Sequence, residues 1–97
     1  YVPLTHADQV REAMGNAGAG KIGNYSHCSF SSRGEGRFLP LNGANPHIGS
    51  VGTPEIVEEE RIEVTVDEVV LDNVIHAMKA VHPYDEVAYD VYKLEYF

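Results

Sequence analysis

A chain of 97 residues with 43% apolar and 23% charged side chains, six Tyr and no Trp has the makeup of one globular domain and excludes wholesale disorder. Its formal charge of -8, with only seven Lys and Arg scattered along the chain, excludes nucleic acid as a natural partner and favours cations. The lone Cys28 cannot close an internal disulfide, and no apolar run reaches the ~18 residues of a membrane span, so a soluble, cytoplasmic chain is expected.

Tyr1-Val2-Pro3-Leu4 lacks an initiating Met and reads as the tail of a strand, which suggests further residues upstream. Thr5 has the chemistry of an N-cap, with Asp8 three positions on in an approximate capping box. Val10, Ala13, Met14 and Ala17 recur at helical spacing, and Gly18 and Gly20 can end the helix, predicted over His6 to Ala17. The spaced glycines Gly18, Gly20 and Gly23 resemble a dinucleotide fingerprint, and Gly15 to Lys21 resembles a P-loop. Both fail on context, because a helix precedes these glycines and a strand follows, and because Ile22 stands where a Ser or Thr would reach magnesium.

Tyr25 to Ser32 reads as a strand and Arg37 to Leu41 as its partner, joined by a turn at Arg33-Gly34-Glu35-Gly36. Pro40 cannot donate to a ladder, which puts it at an edge. Asn42 to Thr53, rich in Gly and Pro, is a long loop of the kind that carries function or packs on a partner. Ile62, Val64 and Val66 alternate with Arg61, Glu63 and Thr65, predicting a strand from Glu58 to Val66 whose Glu58-Glu59-Glu60 entrance is solvated.

Asp67 can cap a second helix with Val70, Leu71, Val74, Ile75, Ala77, Met78 and Val81 on its apolar face. Pro83 biases His82 away from helical angles and should stop it there. A last strand is predicted from Glu86 to Leu94, before Glu95-Tyr96-Phe97. The order strand, helix, strand, strand, helix, strand is an α+β, ferredoxin-like βαββαβ sandwich over residues 1–97, an antiparallel sheet with two helices on one face. The last strand carries Val87, Tyr89 and Val91 on one side and Ala88, Tyr92 and Leu94 on the other, so an oligomer is expected to cover the second face.

The densest chemistry lies where the second helix gives way to the last strand. His82, Tyr84 and Glu86 there, with Gly20, Tyr25 and Asn45, are the candidates for a ligand cleft. Five His invite a divalent metal, yet none are spaced i, i+4 on a helix. A metal site would require the fold to gather His82, Asp85 and His47. Cys28 reads as a small hydrophobe, and no base-activated nucleophile is visible.

His82-Pro83-Tyr84-Asp85-Glu86 followed by Ala88-Tyr89-Asp90 resembles the closing motif of the insert domain in YqfO-type, Nif-three-like proteins. The likeness extends through Ala17 to Tyr25, Cys28-Ser29-Phe30, Gly34 to Phe38 with Pro40, Gly43 to Pro46 with Ile48-Gly49, and Glu60 to Glu63. A looser form of the corner occurs in CutA proteins, which share a PII-like fold. The resemblance implies a PII/CutA-like, non-enzymatic trimer that binds a small ligand or partner protein between subunits. Its CutA side implies copper or zinc as an alternative ligand. In the Nif-three-like proteins the dinuclear metal site belongs to a flanking main domain, so hydrolase or cyclohydrolase chemistry is not implied here.

Overall fold

A computed structural model describes residues 1–95 and 97. In chain order it holds strand β1 (Val2–Pro3), helix α1 (Ala7–Asn16), strands β2 (Phe30–Phe38) and β3 (Glu55–Glu63), and helix α2 (Leu71–Val81), with short 3-10 turns at Leu4–His6 and Glu68–Val70 leading into the helices. The sheet is antiparallel in the order β1-β3-β2, with Val2 opposite Glu60 and Gly34 opposite Glu59. This is a ferredoxin-like α+β arrangement with three strands in the ladder.

Alternation in the strands assigns their two faces. Val2, Glu60 and Ile62 point toward the helices, where Val10 and Met14 of α1 meet Val74 and Met78 of α2 in a buried core that also takes Ala7 and Ala19. Arg11 leaves this core at the sheet, bonding Glu60 at 2.7 Å and Ser31 at 3.1 Å and pairing with Asp8. Asp67 caps the second helical segment by accepting from the Val69 N–H at 3.1 Å. α2 stops where Pro83 requires, with His82 already extended at ψ 134°. Among the described residues no helix is long and apolar enough to cross a membrane.

Four expectations about the strands are corrected. The predicted hairpin at Arg33 to Gly36 does not form, and a single strand runs through both glycines and pairs in register with β3 from Phe30 opposite Glu63 to Phe38 opposite Glu55. The reversal comes instead in the loop after β2, where Gly43, Gly49 and Gly52 take positive φ. Upstream, Ile22 and Tyr25 close a small turn and His27 adopts φ 58°, so the strand starts five residues later than expected. β3 begins three residues earlier than predicted and ends at Glu63, although Val64 and Val66 still pack on the core.

The last predicted strand, Glu86 to Leu94, joins no ladder. Its natural neighbour is β1, where Pro3 has no N–H and the Tyr1 carbonyl is taken by the His82 ring. Among the described residues one hydrogen bond joins the two, from the Tyr1 nitrogen to Ala88 O at 3.3 Å. Tyr96, in the expected tail, lies outside the described residues.

Candidate functional site at the corner after the second helix

His82 is buried at the end of α2 and uses both ring nitrogens. Nδ1 accepts the Tyr84 N–H at 3.1 Å, which leaves Nε2 to donate to Tyr1 O at 2.7 Å. The ring is therefore the neutral Nε2–H tautomer, and burial holds its pKa below the ordinary histidine value against the opposing pull of the Tyr1 bond. It bridges positions 81 apart in the chain.

Tyr84, positioned by His82, donates its hydroxyl to Glu59 Oε2 at 2.8 Å. Burial, and then the bond to Glu59, raises the Tyr84 pKa well above the usual phenol value, so the group stays a donor. Glu59 is buried on the sheet face away from the helices. Room for its carboxylate comes from Gly36, where an added Cβ would collide with Glu59 Oε1. Phe38 completes the surround, its ring centre 6.1 Å from that of Tyr84. Glu59 is thus an anchor and not the solvated residue expected from the Glu58-Glu59-Glu60 run.

Beside this anchor is an open cleft of about 340 Å³ lined by Lys79, Tyr84, Asp85, Glu86 and Val87. Lys79 Nζ sits 5.0 Å over the Tyr89 ring. The long loop between β2 and β3 reaches the same corner, where the Asn45 N–H donates to Asp85 Oδ2 at 3.0 Å. His82, Tyr84, Glu86 and Asn45 therefore do converge.

Gly20 and Tyr25 do not join them within one protomer. Gly20 follows α1, donates to Thr65 O at 2.7 Å and accepts from Cys28 N at 2.9 Å. A Cβ there would strike the Cys28 backbone. Its role is to let two segments approach closely. The turn Gly18 lies against Val70 at the start of α2, whereas His82 lies at its end, about 16 Å away for an 11-residue helix. Tyr25 is exposed in the neighbouring turn.

His82, Asp85 and His47 do not fit a metal within the protomer. Both nitrogens of His82 are committed, Asp85 holds Asn45, and His47 packs against His6. Among the described residues no three His, Cys, Asp or Glu side chains gather as a metal group.

Sequence reasoning missed Glu59, Gly36 and Lys79. The usable signal was the period-two alternation of Arg33, Glu35 and Arg37 against Gly34, Gly36 and Phe38, which continues through the supposed turn and leaves space on one face for a large side chain opposite.

Fold and corner together define a ferredoxin-like α+β module whose last helix is tied to its sheet through a histidine, a tyrosine and a buried glutamate. No protein-family model matches the chain. A Bacillus subtilis (strain 168) protein named GTP cyclohydrolase 1 type 2 homolog is 57% identical over 95 residues, covering 98% of this chain and 26% of that protein. The protein of the same name from Mycobacterium tuberculosis (strain ATCC 25618 / H37Rv) is 51% identical over 94 residues, 97% of this chain and 25% of that one. A solved structure of a Bacillus cereus protein related to NIF3 superposes with a TM-score of 0.83 at 54% identity, covering 98% of this chain and 24% of its own. Nearly the whole chain is thus homologous to one segment of these NIF3-related proteins, and it spans about a quarter of the length of the relatives it matches.

Proposed function

We propose that this domain is a non-enzymatic assembly and small-ligand-binding module that works in the cytoplasm as a homo-oligomer, a trimer by its PII/CutA-like resemblance. The observation that carries this reading is the segment from Val87 to Glu95. It has strand alternation and no ladder, and it exposes Val91 by 55%, Tyr92 by 69% and Leu94 by 55%. Among the described residues β2 is an edge strand, bonded to β3 alone. A strand-forming segment without a ladder and an edge without a second neighbour are complementary between copies. Such pairing would wall the cleft at Tyr84, Asp85 and Glu86 and enclose a small ligand or a segment of a partner protein.

Cyclohydrolase appears in the names of relatives four times as long, and no hydrolytic role is proposed for this quarter. Sedimentation at micromolar concentration tests the assembly. The wild-type chain is expected to sediment as an oligomer and the combined variant Val91→Asp, Leu94→Asp as a folded protomer. A stable wild-type protomer would sink the proposal. If Glu86→Ala leaves binding of every captured ligand as before, the cleft is not the site.

A further inference from the structure

Among the described residues, two contacts tie the loop between β2 and β3 to distant parts of the chain. One is the Asn45 bond to Asp85, which belongs to the corner already described. The other is a contact between two histidines from distant parts of the chain: His47 of the loop meets His6, the residue just before α1, edge to face with ring centres 5.4 Å apart. His6 Nδ1 is hydrogen-bonded to Thr5 Oγ1 at 2.8 Å, which leaves its Nε2 as the available nitrogen. Among the described residues neither nitrogen of His47 has a hydrogen-bond partner, and the residue is exposed.

We propose that His6 and His47 form a two-imidazole site for a borderline divalent cation such as zinc, copper or nickel, with water completing the coordination. Neutral imidazole is the ligand these ions prefer. The spacing is suitable: a nitrogen-to-metal bond of about 2.1 Å puts each ring centre about 3.2 Å from the ion, and a tetrahedral angle then separates the two centres by about 5 Å. The exposed His47 ring can turn about χ2 to present a nitrogen. The net charge of -8 raises the local concentration of cations around the chain. A bound ion would fasten the long loop to the start of α1. The site shares no residue with the cleft of the proposed function.

Calorimetric titration of the 97-residue chain with zinc, copper and nickel chlorides, alongside histidine side-chain NMR, tests this assignment. One ion per chain is expected, with His6 and His47 resonances responding first. His6→Gln and His47→Gln should each weaken binding by at least about tenfold, the smaller end of what loss of even an outer-sphere partner costs a metal site. His76→Gln, on the exposed side of α2, should leave binding unchanged. Zinc should also slow proteolysis between residues 42 and 53 in the wild type and not in His47→Gln. Absence of saturable binding, or equal affinity in the His6→Gln, His47→Gln double variant, overturns the site. Zinc binding retained in a chain that sediments as a protomer would refute the oligomer reading and support this one.

Discussion

The two faces of the sheet are held by different physics. Toward the helices, Val2, Val10, Met14, Val74 and Met78 exclude water by apolar packing, a non-directional force that tolerates small shifts. On the other face lies the buried Glu59 carboxylate, reached by a short chain of directional bonds that runs from His82 at the end of α2 through Tyr84. Packing sets how much stability the first region supplies. In the second, geometry decides, because a buried donor or acceptor that loses its partner costs more than the bond itself contributed.

The contrast is broken most forcefully from the apolar side. Met78→Ala should cost about 2–5 kcal/mol in denaturant unfolding, from lost transfer energy and an unfilled cavity between α1 and α2. The polar side should respond less and with strong coupling. Tyr84→Phe keeps the ring and removes the donor to Glu59, for an expected loss of about 1.5–3 kcal/mol. Gly36→Ala displaces the same carboxylate, so the double variant should lose clearly less than the two single losses summed. Strict additivity in that cycle would show that Gly36 and Tyr84 act separately.

Acid should act on the polar side through His82. Because burial lowers the His82 pKa in the folded state, the neutral ring's contribution is fully present above about 6.5, the unfolded value. It declines as pH falls below that point and is gone once pH passes the lowered folded value. His82→Gln should flatten this part of the stability-against-pH curve, measured by urea unfolding. The smallest effect belongs to a site remote from both regions: Asp67→Ala removes the acceptor for Val69 N–H and should cost about 1 kcal/mol, additive with Tyr84→Phe.

How much of this could be read from the residues follows the same division. Both helices, the Asp67 cap and the stop at His82 were legible because helical period, capping chemistry and Pro83 are local signals. Gly34 and Gly36 misled because glycine marks a turn and equally marks a strand position where another side chain must pass. Only the pairing with β3 distinguishes the two. Glu59 was hidden for a related reason, since a carboxylate between two others reads as solvated until Tyr84, 25 positions later, is known to cover it. The final segment has the right alternation for a strand, but a ladder needs a free edge. Pro3 and the Tyr1 carbonyl deny it one. His6 and His47 could not be paired from spacing at all.

The contact of the Tyr1 nitrogen with Ala88 O, beside the His82 bond to Tyr1 O, brings the start and the late part of the chain to one place on the surface. Two segments 87 positions apart are thereby held side by side, and the end of the second helix, through His82, is fastened to the same spot. Loosening any one of the three should therefore loosen the other two.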